Sequence, residues 1–287
     1  MFLFDRLFLT LCLILCLTLS CAQQTAIDKF NKIHTQAKSH QWKANIIEGS
    51  YFDLMSFTPN TIQPHDTLTI YLEGDGLAWR NTFTPSNNPT PLNPIGLQLA
   101  WKHPTSHVAY LARPCQYVSE QHAKHCMTSV WTHGRYAQNT VDATNAAIDV
   151  LKARYKATSI ELIGYSGGAT IALLVAINRQ DINNIITVSG NTNPVGWVHH
   201  HAVSPLSTSL NPLDYSVELQ QIPQIHLMGI QDKITPPYLT KQFTDALNQP
   251  DMIQLYTLAS FNHHCCWVTS WPQLYFETQN LQNKKHD

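Results

Sequence analysis

Ile160-Glu161-Leu162-Ile163-Gly164-Tyr165-Ser166-Gly167-Gly168-Ala169-Thr170-Ile171 is the stretch on which the reading of this chain turns. Ile160 to Ile163 has the length and composition of a buried strand, and Ala169 to Ile177 is apolar enough for a buried helix. Between them lie five residues, three of them glycine. A strand that turns so sharply into a helix forces its central residue into a strained conformation, and flanking glycines remove the side chains that would collide there. The residue so placed is Ser166. Its hydroxyl would be held above the sheet at a helix N-terminus, where the dipole and free N–H groups favour negative charge. A glycine-rich turn with a helix-capping serine has the same spacing, so the strand before and the helix after carry the inference that Ser166 is a nucleophile.

Outward from that turn, strand-like and helix-like segments alternate. Residues 46–57 and 67–73 read as strands, separated by a polar turn around Pro59-Asn60 and Gln63-Pro64. Val108 to Leu111 is a short apolar run ended by Arg113-Pro114, and Val141, Ile148, Leu151 and Tyr155 share one face of a helix over 136–155. Downstream, Ile185 to Val188, Ile225 to Ile230 and Ile253 to Leu258 read as strands, with helices over 238–247 and about 270–282. Residues 191–223, rich in Asn, Pro, Ser and His, are too long for a plain connection. Repeated β-then-α order predicts one α/β domain over 46–287 with a mostly parallel sheet flanked by helices. A linker and helix (22–45) precede it, and 191–223 forms an insertion over the active-site edge.

A serine hydroxyl is a weak nucleophile at neutral pH and needs a base. The chain order of strand-serine-helix, then an acid, then a histidine resembles the α/β-hydrolase fold. That resemblance nominates Asp232, just after the strand that ends in Gly229, with Asp214 and Asp251 as weaker rivals. It places the base after the last strand, in Asn262-His263-His264-Cys265-Cys266-Trp267. His263 is preferred and His264 is the alternative, since adjacent residues rarely both reach one serine. An oxyanion hole needs two backbone N–H donors. Gly167, directly after the nucleophile, is one. The other comes from Leu72-Glu73-Gly74-Asp75-Gly76, which resembles the His-Gly-Gly loop of esterases with Glu73 in place of the His; Asp75 is favoured and Gly76 is the alternative.

The Gly-Tyr-Ser-Gly-Gly turn and the His-x-Cys-Cys-Trp loop resemble a group of uncharacterised exported bacterial α/β hydrolases. Leu111-Ala112-Arg113-Pro114-Cys115-Gln116, Ser189-Gly190-Asn191 with Trp197, and Ser209-Leu210-Asn211-Pro212 extend the likeness over about residues 50–275. The resemblance implies a fold and a reaction class but no substrate.

The N-terminus points to export. Residues 7–19 (LFLTLCLILCLTL) are nearly unbroken apolar positions behind Arg6. They are too short to span a bilayer, which takes roughly 20 residues, but have the length of a secretory apolar region. Ser20-Cys21-Ala22 fits an ordinary cleavage site. Leu17 to Cys21 also resembles a lipobox, with Thr18 where Leu is usual, in which Cys21 would be lipidated and become the new N-terminus. Residues 1–21 are therefore expected to be a signal or lipobox segment, and the body of the protein to lie outside the cytosol, anchored in the bacterial envelope or secreted.

In that setting the four remaining cysteines, Cys115, Cys126, Cys265 and Cys266, are disulfide candidates with three possible connectivities. Cys115–Cys126 is the simplest. A vicinal Cys265–Cys266 bond is awkward across a trans peptide, whose Cα atoms are ~3.8 Å apart, and requires a distorted or cis peptide. His122, His125 and Cys126 have the residue types of a zinc site, but no second cluster completes a tetrahedral set.

The 287 residues carry 18 Lys+Arg against 19 Asp+Glu, a formal net charge of −1, with no basic run longer than a Lys pair, so nucleic acid is not an expected partner. The hydrophobic share of 44% is ample for a core and excludes general disorder. No repeat with a 20–50-residue period appears, which argues against a solenoid or propeller. The expectation is an exported serine hydrolase acting on a small acyl substrate, an ester or thioester, without metal or organic cofactor. A serine peptidase or amidase on the same fold, and a non-catalytic envelope lipoprotein using the scaffold for binding, are the alternatives.

Overall fold

The computed structural model describes residues 29–283. The apolar segment 7–19 and the lipidation candidate Cys21 lie outside them. Eight strands form the central sheet: β1 (Trp42–Ile47), β2 (Leu54–Pro59), β3 (Thr67–Leu72), β6 (Val108–Leu111), β7 (Ser159–Tyr165), β8 (Ile182–Val188), β9 (Gln224–Gly229) and β10 (Ile253–Leu258), in the order β1-β2-β6-β3-β7-β8-β9-β10. The run from β6 through β10 is parallel, while β2 is antiparallel to both of its neighbours. β4 (Trp79–Asn81) and β5 (Thr84–Pro85) make a small separate hairpin. This is the α/β-hydrolase architecture that the sequence resemblance implied.

Helices cover both faces. On one face lie α1 (29–39), α2 (Ile95–Trp101) and α9 (Trp267–Asn283), whose Ile33, Leu97, Trp267 and Trp271 pack against sheet residues such as Phe57, Tyr110 and Ile163. On the other lie α4 (Gln138–Tyr155), which follows the short α3 (Thr128–Trp131), α5 (Gly167–Ala176) and α8 (Pro237–Asp245), with Ile148, Leu173 and Phe243 against Leu68, Ile160 and Ile185. The inner strands are buried on both faces, which is why they read as apolar runs rather than alternating ones. Glu161 interrupts one such run and is buried beneath α9. Its carboxylate accepts hydrogen bonds from Thr69 Oγ1, Asn184 Nδ2, Tyr275 OH and Gln279 Nε2, all within 3.0 Å.

The structure departs from the sequence reading at three places. The strand expected over 46–57 is a hairpin: β1 and β2 pair antiparallel, and the turn between them is closed by the Gly49 N–H donating to Asp53 Oδ1. The turn falls on Glu48-Gly49-Ser50, whose glycine and polar side chains separate the two apolar runs. β1 also begins within 22–45, so the domain takes in Trp42 and, through the buried Ile33 and Ala37, the helix α1. Between 74 and 107, where no periodicity stands out, the chain forms the β4–β5 hairpin and α2.

The connection 191–223 contains α6 (Pro194–His201), a short 3-10 turn (Pro212–Tyr215) and α7 (Ser216–Leu219). α6 lies over the carboxyl ends of the strands, whereas α7 leads into the opposite, amino end of β9, where Gln224 Nε2 donates to Leu219 O. The Trp197 indole donates to Ile234 O, and Leu210 N–H donates to Tyr136 O.

Cys115 and Cys126 form a disulfide with Cα atoms 5.6 Å apart. Closing so short a loop contributes about 2–3 kcal/mol in the chain-entropy model. Cys265 and Cys266 are bonded to each other across a cis peptide. With Cys126 in a disulfide, His122 pairing with Asp53 and His125 stacked on Tyr51, the three candidate zinc ligands do not converge. No helix among the described residues is long and apolar enough to cross a membrane.

Candidate active site

The turn between β7 and α5 puts Ser166 where the parallel strands end. Its φ of 51° and ψ of −121° are far from either regular conformation. The turn is this tight because two glycines let backbones touch. A Cβ on Gly164 would lie 2.5 Å from the Ala169 backbone, and one on Gly168 would lie 2.3 Å from Leu72 O. The turn is held in place by Ser166 N–H donating to Val188 O and by Asn191 N–H donating to Ser166 O.

Two loops bring partners to the hydroxyl. The loop after β10 presents His263, buried, with Nε2 3.0 Å from Ser166 Oγ. The loop after β9 presents Asp232, whose Oδ2 lies 2.9 Å from His263 Nδ1. Asp232 Oδ1 accepts from Ile234 N–H at 2.8 Å and Thr235 N–H at 2.9 Å, and the Thr235 hydroxyl donates to Oδ2 at 2.8 Å. Burial pushes the Asp232 carboxyl up, but the bond and charge of His263 together with Thr235 outweigh it and hold the group below the usual carboxylate range. The residue stays ionised, and an ionised carboxylate on Nδ1 selects the tautomer in which Nε2 is free to accept a proton from Ser166.

His264 goes elsewhere. It is exposed, its Nδ1 is 3.3 Å from Tyr165 OH, and burial together with the neighbouring His263 keeps its pKa below the ordinary histidine value. The Tyr165 hydroxyl donates instead to His263 O at 3.0 Å. The loop is fixed by Asn262, whose Oδ1 accepts from both His264 N–H and Cys265 N–H, and whose carbonyl accepts the Trp267 indole N–H. Of the two weaker acid candidates, Asp214 pairs with Asn211, and Asp251 precedes β10 at the opposite ends of the strands.

The loop after β3 crosses directly over the turn: a Cβ on Gly74 would meet Ser166 Cβ at 3.2 Å. Glu73 anchors it. That carboxylate is buried and accepts from Gly74, Gly96 and Leu97 N–H and from Tyr110 OH, tying the loop to the start of α2. Burial raises its pKa against those bonds. Gly74 N–H is therefore engaged and is not a free donor. At Gly76, φ is 66° and an added Cβ would lie 2.1 Å from Pro89 O.

Sequence reasoning gave no role to the charged cluster beside this loop. Asp75 projects its carboxylate onto Gly167, where an added Cβ would lie 2.1 Å from Oδ1. Arg113 Nη1 reaches both Asp75 Oδ1 (3.2 Å) and Gly167 O (3.3 Å); Arg135 Nη1 (2.8 Å) and Tyr136 OH (2.9 Å) bond Asp75 Oδ2. Arg113 also donates to Arg135 O, and Gln116 Nε2 to Gly74 O. Burial pushes the Asp75 carboxyl up, but the two guanidinium charges prevail and hold it below the usual range. The two buried guanidinium charges offset the Asp75 carboxylate that lies beside the serine. Arg113→Met leaves Asp75 paired with Arg135 and Tyr136 but strips Gly167 O and Arg135 O of their buried donor, and is expected to cost about 1–3 kcal/mol of stability; urea unfolding measures it. The segment Arg113 to Gln116 was conspicuous in the sequence, but nothing there linked it to Asp75.

The described residues include no group of three or more His, Cys, Asp or Glu arranged to hold a metal ion.

A family model for serine hydrolases (FSH1) matches residues 102–257, just over half of the chain, spanning β6 to β10 and including Ser166 and Asp232. No curated protein sequence matches the chain. Among solved structures, an alpha-beta serine hydrolase homologue from Coxiella burnetii has a TM-score of 0.55 at 16% identity, covering 83% of this chain and 97% of that one. The esterase Pf2001 from Pyrococcus furiosus gives 0.59 at 14% identity over 87% and 92%. Est1E from Butyrivibrio proteoclasticus gives 0.57 at 13% over 84% and 99%. At these identities the likeness is one of fold.

Proposed function

The chain belongs to the FSH1 serine hydrolase family, and from that premise we propose that Ser166, His263 and Asp232 act as a triad cleaving an ester or thioester through an acyl-enzyme. The observation that carries this reading is the unbroken line of hydrogen bonds from Ser166 Oγ through His263 to Asp232, starting at a strained turn on a helix N-terminus. The esterases among the similar folds favour an ester over an amide as the first substrate to test.

Ser166 Oγ attacks the acyl carbon as its proton passes to His263 Nε2, and Asp232 stabilises the imidazolium. The carbonyl oxygen, now negative, is held by the N–H groups of Gly167 and Asp75. Collapse of the tetrahedral intermediate breaks the bond to the leaving alcohol or thiol, which takes the proton from His263. Water then attacks the acyl-serine with His263 as base, releasing the acid and restoring the hydroxyl. In this reading residues 1–21 direct export and Cys21 carries a lipid anchor.

Labelling with a fluorophosphonate, read by peptide mass, tests the assignment. A stoichiometric adduct on Ser166 is expected in the wild type and in His264→Ala. No adduct on the folded, oxidised wild type, or loss of labelling in His264→Ala with retention in His263→Ala, would overturn it.

A further inference from the structure

The β4–β5 hairpin ends in the most exposed apolar side chain among the described residues: Phe83 is 88% exposed. Trp79 beside it is 40% exposed, and Leu92, further along the same loop, 65%. The hairpin is firmly built. Asn81 Oδ1 accepts from both Phe83 and Thr84 N–H, Ser86 N–H donates to Ala78 O, and Leu77 N–H donates to Pro89 O. Three large apolar side chains exposed on one ordered loop, rather than one alone, mark an interaction surface. Because the hairpin follows the carboxyl end of β3, it stands on the same edge of the sheet as Ser166.

Two further observations identify the partner. The first is charge. From Gly76 to Ser119 the sequence has no Asp or Glu, and from Lys29 to Ile47 it again has none, while Arg80, Lys29 and Lys32 lie in these segments. The carboxylates nearest in sequence are Asp28, Glu48, Glu120 and Asp75, and Asp75 is taken up by Arg113 and Arg135. The second is where the chain enters. α1 runs alongside α2, with Lys29 and Lys32 at its start lining a cavity of about 140 Å³ with Leu92 and Pro94, and His40 at its end stacked on Trp101. Lys29, eight positions after Cys21, therefore sits at the Ser166 edge, beside Leu92.

We propose that the β4–β5 hairpin and the Leu92 loop form a membrane-binding face that rests on an anionic lipid bilayer, with the Ser166 edge of the sheet turned toward it. Phe83, Trp79 and Leu92 enter the interface, where aromatic side chains are favoured, and Arg80, Lys29 and Lys32 meet the headgroups. The tether from Cys21 rests on the anchored reading above; the chemistry of the face does not. Held so, the enzyme meets acyl groups presented by the bilayer.

The test places a photo-crosslinking benzoylphenylalanine at position 83 or, as a control, at the exposed Val217, in the full chain. Each protein is irradiated on vesicles of phosphatidylcholine and phosphatidylglycerol. Phospholipid adducts on the peptide bearing position 83, at least about tenfold above those at 217, are the expected result. No adduct at 83, equal yields at the two positions, or cross-links from 83 to a second copy of the chain would overturn the proposal. This readout does not involve Ser166, so it fails or succeeds independently of the hydrolase reading. In addition, Phe83→Asp should lower turnover of a vesicle-embedded ester about tenfold or more while leaving a water-soluble ester unaffected. Equal losses on both substrates would count against the membrane face.

Discussion

Ser166→Ala is expected to lower turnover of an activated ester by about 10⁶-fold, and His263→Ala to do nearly the same. The two losses should not multiply, since either change removes the same event, the transfer of a proton from a hydroxyl as it attacks carbon. A residual rate of roughly 10³–10⁴ over water would come from binding and from the N–H donors of Gly167 and Asp75. The comparison needs only kcat for the two single variants and the double variant on one substrate. If Ser166→Ala kept even a hundredth of the wild-type rate, the acyl-enzyme route would be wrong. Folding is not at issue for Ser166: its backbone N–H and carbonyl make the bonds that hold the turn, and these survive the loss of Oγ.

Asp232→Asn carries the second large effect, a fall in kcat of about 10⁴-fold with little change in KM. The Asn oxygen can keep the bonds from Ile234 and Thr235 N–H, so the loop has no reason to move. Its amide then faces His263 Nδ1 as a donor. The imidazole must accept there and carry its proton on Nε2, which turns a donor toward Ser166 Oγ where an acceptor is needed. The wild-type carboxylate also bears on stability. Its folded pKa is depressed, so its contribution is complete above the unfolded value near ~4 and is lost as pH falls through the folded value. Asp232→Asn should therefore remove stability at neutral pH and flatten the decline below about pH 4, as read by urea unfolding at several pH values. Equal activity in the variant and the wild type would mean that the imidazole is oriented by something other than Asp232.

The position of Ser166 was legible because its constraint is local. A four-residue strand with three apolar positions, three glycines and an apolar helix lie within eighteen residues of sequence, and together they permit one sharp turn. Asp232 and the His263-His264 pair were legible only through the order of elements, which says which loop an acid or base occupies but not which of two neighbours points inward. That choice rests on Tyr165 and Asn262, whose side chains fix the loop so that His263 faces the serine and His264 faces outward. The hairpin read as one strand at 46–57 has a different cause: its turn, Glu48-Gly49-Ser50, is polar and carries a glycine, a local signal of reversal that the reading by apolar content passed over.

What the sequence by itself determined was the fold class, the sharp turn bearing Ser166, the loops bearing Asp232 and His263, and a charge balance that gives no reason to expect nucleic acid. Only the tertiary structure decided which histidine meets Ser166, that Cys115 pairs with Cys126, and that Asp75, Arg113, Arg135 and Tyr136 gather beside Gly167. The physical reason is range. Turn geometry and apolar periodicity act between residues a few positions apart. The charge cluster joins residues 38 to 61 positions apart, and their pairing depends on the low-dielectric corner that the folded sheet alone creates.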